Sequence, residues 1–305
     1  MLKKVSKLND DGCACHKPEA ESPGFSFDPL LPDAIALAAE DAGVKKAKQR
    51  AGKMFALSVL GGAFVALGGI FATVATAGGQ GLLSYGVIRL IMGGTFSLGL
   101  ILVVLAGAQL FTSDCLMVMA WASGRVKFGH MLKVWGTVWL GNLVGALGTA
   151  LLLFLSGQYA FGHGEVGAMA LYMASAKSTL APEHVFFLAV FCNVLVCLAA
   201  WMAMAARSLT DKILAILIPV CAFVAAGFEH CVANMFFIPY GLLVKWGAPA
   251  AFWAEIGRTP DSAEIPVGQF LVNLGVATLG NWVGGALLVG AIYWLIFRRT
   301  VALNH

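Results

Sequence analysis

The sequence predicts an all-α membrane protein whose six transmembrane helices form a 3+3 inverted repeat with broken second and fifth helices. The first observation is composition: of 305 residues, 59% are hydrophobic and only 12% are charged, whereas a soluble domain carries about 25% charged residues. The apolar residues also form long runs, which are typical of membrane-spanning helices. Finally, two of these runs are interrupted at corresponding places, which predicts the repeat.

The N-terminal part of the chain is polar. Residues 1–27 are predicted to be a disordered cytoplasmic tail without a cleavable signal peptide, because no apolar core begins before about Met54. Cys13, Cys15 and His16 lie in this tail; a metal or redox site is the alternative, but no second ligand pair follows at zinc spacing. Residues 28–53 combine recurring apolar positions with a basic cluster, which predicts an amphipathic cytoplasmic helix or a membrane-surface anchor.

Six apolar segments follow, at about 54–77, 86–121, 130–156, 183–206, 212–244 and 267–297. Together they predict a six-span domain over 54–298, with 299–305 as a cytoplasmic C-terminus. The second and fifth segments are much longer than the roughly 20 residues that a spanning helix needs. Each carries polar residues or glycine near its middle, at 106–114 and 225–234. Non-helical backbone at membrane depth must be buried in protein or line a polar cavity, so both segments are predicted to be broken helices.

Basic residues predict the orientation. Sixteen of the twenty Lys and Arg fall on one side of the six-span plan, and that side is predicted to be cytoplasmic. Both termini are therefore expected in the cytoplasm of a bacterial cell, with the chain crossing the inner (plasma) membrane several times. The sequence LGNLVGAL at 140–147 returns as LGNWVGGA at 279–286, which supports an inverted repeat with a transport site at the membrane midplane.

Polar side chains within the spans are the candidate functional residues, because they are costly in a bilayer. If the two breaks face each other, Thr112 and His230 meet near the centre. A satisfied buried histidine is the alternative for His230, and a helix cap or a partner for a cation is the favoured role of Glu229. Asn142 and Asn281 are predicted to be structural interhelical amides. The polar candidates of the spans are His230, Thr112, Asn193, Glu229, Ser113, Asp114 and Asn234.

Several other functions are disfavoured. The HExxH, GxSxG, Walker A and GxGxxG motifs are absent in a suitable context, so we expect no enzyme, no cofactor and no metal site. Lysine and arginine do not gather on one basic face, so nucleic acid is not an expected partner. Phe96, Leu100, Phe111 and Phe223 could line hydrophobic constrictions or simply face lipid or core. From sequence alone Lys177 is an ordinary solvated lysine.

At these residues the chain resembles the formate/nitrite transporter family, over about residues 28–298. The matching segments are ARSLTDK at 206–212, FVAAGFEHCVANMFFIP at 223–239, FSLGLILVV at 96–104, LFTS at 110–113 and the two GN runs. The fifth segment is more similar to the formate-channel branch than to the nitrite branch. The resemblance implies an aquaporin-like fold and a homopentamer in which each six-span domain holds its own pore.

The resemblance also implies roles for individual residues. His230 would hydrogen-bond with Thr112 and Asn193 between two constrictions, and Lys177 would attract anions to the outer vestibule. Gln109 departs from the acidic residue that formate channels commonly carry there, and the helix within 28–50 would take part in gating. The inner constriction would be formed by Leu100, Leu110 and Phe111, and the outer one by Phe96, Val196 and Phe223.

We therefore expect a passive or proton-coupled channel for small monovalent anions, chiefly formate and related monocarboxylates, in which His230 donates a hydrogen bond or a proton. Membrane lipid and further copies of the chain are the expected partners, with a cytoplasmic formate-metabolising enzyme as a further candidate. One alternative keeps the fold and changes the cargo to nitrite or hydrosulfide. Another is a membrane scaffold that does not transport, against which the two broken helices argue.

Overall fold

The protein is all-helical in a computed structural model that describes residues 28–299, and no strand occurs among these residues. The predicted tail at 1–27 and most of the predicted C-terminus at 299–305 lie outside the described residues. In chain order the helices are α1 (Pro32–Ala47), α2 (Ala51–Thr76), α3 (Tyr85–Leu105), α4 (Phe111–Ala122), α5 (Phe128–Leu155), α6 (Glu165–Ser178), α7 (Pro182–Ala205), α8 (Leu209–Ala225), α9 (Cys231–Gly247), α10 (Ala250–Glu255) and α11 (Val267–Trp282). A π-helical stretch, Val283–Ala291, extends α11 to a last helix, α12 (Ile292–Phe297).

Five helical stretches within residues 28–299 are long and apolar enough to cross a membrane: α2, α3, α5, α7 and the stretch Pro260–Phe297 that contains α11 and α12. The chain is therefore a multi-pass membrane protein. The predicted fifth segment is divided between α8 and α9, which have 17 residues each and are shorter than a complete crossing requires. The count of six spans therefore stays a prediction.

Helix α1 packs against the helical body of the protein. Its buried face contains Ile35, Ala39 and Gly43, and a Cβ atom added to Gly43 would lie 3.0 Å from the Cβ atom of Ala120 in α4. The helix ends at Ala47 and α2 already begins at Ala51, so the predicted boundary near residue 53 falls inside α2.

A buried carboxylate connects α1 to two other parts of the chain. Glu40 is fully buried; its Oε1 atom lies 3.0 Å from Arg298 Nε, and its Oε2 atom lies 3.2 Å from Arg298 Nη2. Ser123 Oγ donates to Glu40 Oε1 at 2.5 Å, and Arg125 Nη1 lies 3.4 Å from Oε2. Bidentate arginine contacts fix orientation as well as charge, so this network holds α1 against the start of the α4–α5 loop and the end of α12.

The two predicted interruptions contain non-helical stretches, residues 106–110 and 226–230, whereas 111–114 and 231–234 already belong to α4 and α9. The two non-helical stretches begin in the same way. Helices α3 and α8 are each followed by a glycine in the left-handed region, Gly107 (φ 79°) and Gly227 (φ 80°). One residue later a backbone N–H bonds back across the helix end, from Ala108 to the carbonyl of Val103 and from Phe228 to that of Phe223, both at 3.0 Å. These are the contacts of a Schellman cap, which glycine favours because it has no Cβ atom.

Two asparagines hold the interruptions open in the same manner. Asn142 in α5 donates to the carbonyl oxygens of Ser58 (2.7 Å) and Gln109 (2.9 Å), and it accepts from the N–H of Phe111 (2.9 Å). The same side chain therefore serves the last residues of the first interruption, the first residue of α4 and a carbonyl of α2.

Asn281 in α11 makes the corresponding set of bonds. It donates to the carbonyl oxygens of Ala189 (2.8 Å) and Glu229 (2.9 Å), and it accepts from the N–H of Cys231 (2.9 Å). Buried backbone groups outside a helix need such partners. The two GN runs thus supply the hydrogen bonds that the broken helices give up.

Candidate functional site

The centre of the molecule is a contact between the two interruptions. Thr112, in the first turn of α4, has its Oγ1 atom 3.0 Å from the Nε2 atom of His230, the residue that precedes α9. Both side chains are buried. The structure therefore brings together the two side chains that the sequence placed at this depth, at the N-terminal ends of two helices that start from opposite interruptions.

His230 is also the N-cap of α9, and this fixes its hydrogen-bonding roles. Its Nδ1 atom accepts the backbone N–H of Ala233 at 3.1 Å. A ring nitrogen that accepts a hydrogen bond carries no proton, so the neutral ring has its proton on Nε2. The Nε2–H group then donates toward Thr112 Oγ1, which leaves the threonine hydroxyl free to donate in turn.

Asn193 differs from the expectation that it would bond directly to His230. Its Nδ2 atom donates instead to the carbonyl oxygens of Thr112 (3.2 Å) and Asn281 (2.6 Å). The reason is geometric, because the start of α4 and α11 both present main-chain carbonyls to the buried face of α7. Asn193 therefore positions Thr112, and it touches the histidine only through that residue.

A cavity of about 480 Å³ leads to this centre from one side. Four phenylalanines line it together with His230: Phe96, Phe223, Phe228 and Phe237. The Phe96 ring centroid lies 6.1 Å from that of Phe223 and 6.1 Å from that of Phe237, and Phe223 stacks on the His230 ring at 5.9 Å. Phe96 and Phe223 were predicted for the outer constriction. Phe237 was not predicted, because nothing in the sequence distinguishes it from the other phenylalanines of the apolar segments. The third predicted member, Val196, is buried in α7 and does not line this cavity.

A carboxylate beside the histidine is fully partnered. Glu229 accepts from Lys177 Nζ on Oε1 (2.7 Å) and from Asn234 Nδ2 on Oε2 (2.6 Å). Asn273 in α11 lies 3.5 Å from the same Oε2 and also donates to the Lys177 carbonyl at 3.1 Å. Lys177 and Glu229 both line the cavity, so Lys177 is not the solvated lysine that its loop position suggested. Glu229 matches its expected pairing with a cation.

The opposite side of the centre is more tightly packed. The three residues predicted for the inner constriction, Leu100, Leu110 and Phe111, are all buried. Next to them Asp114 pairs with Lys46, which reaches in from α1. Ser113, whose hydroxyl donates to the carbonyl of Leu110 at 3.0 Å, lines a small cavity of about 20 Å³ with this pair.

Sequence reasoning missed three polar residues of this region. Lys46 looked like one of several surface lysines, and no pattern marked its pairing with a buried acid. Asn273 carried a usable signal, because an amide within a predicted span is unusual. Arg89 lines the cavity wall, but the sequence showed it only as one of few basic residues on the outer side. Within residues 28–299, no group of three or more His, Cys, Asp and Glu side chains could hold a metal ion.

Comparisons with known proteins place this arrangement in a family. The model of the formate/nitrite transporter family matches residues 33–295. The formate channel FocA of Escherichia coli (strain K12) is 44% identical over 90% of this chain and 96% of its own length, and the nitrite transporter NirC of Salmonella typhimurium is 36% identical over 78% and 80%. A solved structure of a pentameric formate channel with formate bound has a TM-score of 0.77 at 40% identity, and covers 81% of this chain and 97% of its own. The chain belongs to the formate/nitrite transporter family.

Proposed function

We propose that this chain is a passive or proton-coupled channel for formate and similar small monocarboxylates. The observation that carries the proposal is the Thr112–His230 contact at the end of a cavity walled by phenylalanines. A relative that is 44% identical is a formate channel, and the structural neighbour is a formate channel with formate bound. The relatives reported above are named as channels and transporters, not as enzymes.

The geometry suggests how a small anion passes. An anion that enters the cavity meets the ammonium of Lys177, which keeps donors to spare beyond its bond to Glu229. A bare carboxylate cannot cross an apolar constriction cheaply. The Nε2–H of His230 and the hydroxyl of Thr112 replace part of its lost hydration, and the positive ends of α4 and α9 point at the same place. The anion leaves past the constriction of Leu100, Leu110 and Phe111.

The inverted repeat and the six-span count belong to the same proposal. They are supported by the corresponding bonds of Asn142 and Asn281 and by the corresponding glycines Gly107 and Gly227. In this plan α3 with α4, and α8 with α9, each make one broken crossing. The excess of basic residues supports a cytoplasmic position for both termini, and the bacterial relatives support the inner membrane of a bacterial cell.

A homopentamer with one pore per protomer is the proposed assembly. It is supported by the pentameric state of the structural neighbour and by large apolar side chains exposed on the outer helices, such as Leu140, Leu152 and Leu271. Exposed apolar patches of this extent need lipid or a protein partner to cover them. The central contact lies wholly within one chain, so each protomer contains a complete site.

The test is formate uptake by proteoliposomes that contain the purified protein. His230→Asn retains a side-chain oxygen that can cap α9, but it removes the ring nitrogen that faces Thr112. Thr112→Val removes the hydroxyl at nearly constant volume and serves as the matched variant. We expect both variants to lower formate flux by about tenfold or more while keeping the thermal stability of the wild type. Wild-type rates with a wild-type pH profile in His230→Asn would refute the proposed role.

Nitrite is the second candidate cargo, because NirC of Salmonella typhimurium is also similar to this chain. Competition by nitrite and hydrosulfide in the same uptake assay separates the two. Formate flux that is unaffected by excess nitrite supports the formate assignment. Absence of any anion flux would instead favour the scaffold alternative, with a cytoplasmic formate-metabolising enzyme as the partner to test.

A further inference from the structure

The charges that line the large cavity do not cancel. The charged side chains among its described lining residues are Arg89, Lys177 and Glu229. Lys177 and Glu229 form an ion pair at 2.7 Å, so together they add no net charge. Within residues 28–299, Arg89 has no carboxylate at ion-pair distance. The remaining net positive charge of the cavity is therefore that of Arg89.

Neutral groups surround the Arg89 side chain. Its Nε atom donates to the Ala225 carbonyl at 3.1 Å, a terminal nitrogen donates to the Val224 carbonyl, and Nη1 lies 3.7 Å from the sulfur of Met92. The guanidinium also lies 5.9 Å from the Tyr85 ring centroid. The carbonyls are the last ones of α8, whose end carries about half a negative charge. That partial charge reduces the full charge of the arginine without cancelling it, and arginine does not deprotonate in proteins.

We propose that Arg89 supplies the electrostatic attraction that concentrates small carboxylates in the cavity, and that Lys177 acts only at contact. A neutral ion pair exerts a short-range field, whereas an unpaired charge acts over about a Debye length, roughly 10 Å at 0.1 M salt. Charged clefts raise the local concentration and the association rate of an oppositely charged substrate in a salt-dependent way. This inference rests on the proposed function in one respect: the proposed function supplies formate as the anion that is attracted.

The transport test compares Arg89→Gln with Arg89→Lys, which keeps the charge. Arg258→Gln is the matched control, because Arg258 is exposed and does not line the cavity. In proteoliposomes we expect Arg89→Gln to raise the KM for formate about threefold or more at low ionic strength with little change in the maximal rate. Arg89→Lys and the control should stay near wild type, and the difference should disappear as salt increases. An unchanged KM in Arg89→Gln overturns the proposal.

A structural role alone predicts a different pattern. Arg89 also holds the end of α8, so a distorted interruption would lower the maximal rate at every salt concentration, and Arg89→Lys would not restore it fully. That pattern would refute electrostatic attraction. A wild type without formate flux would refute the proposed function and leave the charge to be tested by a second measurement.

The second measurement needs no transport. A cysteine introduced at the exposed cavity residue Gln80 is reacted with an anionic and with a neutral methanethiosulfonate reagent in detergent. The ratio of the two rates reports the charge of the cavity, because the neutral reagent corrects for changes in access. We expect Arg89→Gln to lower this ratio about threefold or more and Arg258→Gln to leave it unchanged; an unchanged ratio in Arg89→Gln refutes the inference. The background replaces three cysteines by serine: Cys221, which is only partly buried, and Cys13 and Cys15, which lie outside the described residues.

Discussion

Replacing Asn281 by leucine should destabilise the whole fold. Leucine has a similar volume, so the substitution leaves the packing of α11 largely intact. It removes the side-chain oxygen that accepts from the N–H of Cys231 and the side-chain amide that donates to the carbonyls of Ala189 and Glu229. All three partners are main-chain groups of buried residues, so the substitution leaves them without the side chain that pairs with them.

The expected loss can be worked out from these three bonds. A buried hydrogen bond contributes about 1 kcal/mol net in soluble proteins and about 0.6 kcal/mol on average between membrane helices. Asn281→Leu should therefore lower the free energy of unfolding by about 2–3 kcal/mol. At roughly 2–4 °C per kcal/mol for a domain near this size, the midpoint of thermal unfolding should fall by roughly 4–12 °C.

The assay is thermal unfolding of the purified protein in detergent, followed by tryptophan fluorescence. Asn142→Leu should show a similar loss, because Asn142 makes the corresponding three bonds at the other interruption. Leu279→Ala is the control, since Leu279 lies two residues away on the exposed face of the same helix. If Asn281→Leu unfolds at the wild-type temperature, or if Leu279→Ala shifts it as much, the asparagine is not what holds the interruption.

Three further predictions concern backbone and charge. In Gly284→Ala the new Cβ atom would lie 2.1 Å from a carbonyl oxygen of α7, so the yield of folded protein in size-exclusion chromatography should collapse; Gly275→Ala, with no atom within 4 Å, should express normally. Gly227→Ala places a side chain at φ 80° and should cost about 1 kcal/mol in thermal unfolding, and an unchanged midpoint would contradict the left-handed cap. Glu40→Gln removes the charge that Arg298 contacts, so amide hydrogen exchange in Pro32–Ala47 should speed up while the global unfolding midpoint moves little; unchanged exchange would show that α1 does not depend on this network.

The fold was accessible from the sequence mainly where a local signal was strong. Length and hydropathy located the apolar helices, because the thickness of the bilayer sets a minimum length for an apolar segment. Glycine and polar residues within two of these segments indicated the interruptions at 106–110 and 226–230. The boundary between α1 and α2 was harder. Both sides of it are helical and alanine-rich, and the short turn at 48–50 contains no proline or glycine that would mark it.

The site was accessible only in part, because its contacts are long-range. Thr112 and His230 are 118 residues apart and were placed together by the assumption that the interruptions face each other. The tautomer of His230 and the indirect role of Asn193 depend on where individual main-chain groups point, which no sequence pattern encodes. The pairing of Lys46 with Asp114 likewise depends on how α1 folds back over the body.

The geometry of the centre limits how it can select among anions. Under the proposed function, the anion meets the Nε2–H of His230 and the hydroxyl of Thr112, because Nδ1 of the histidine is occupied by the N–H of Ala233. A second proton on Nδ1 would set two donors against each other and release the cap of α9. This pair of fixed donors recognises any small oxyanion, so it cannot by itself separate formate from nitrite. Under the proposed function we therefore expect this chain to discriminate between anions at its apolar constrictions, where size and the cost of dehydration differ between anions.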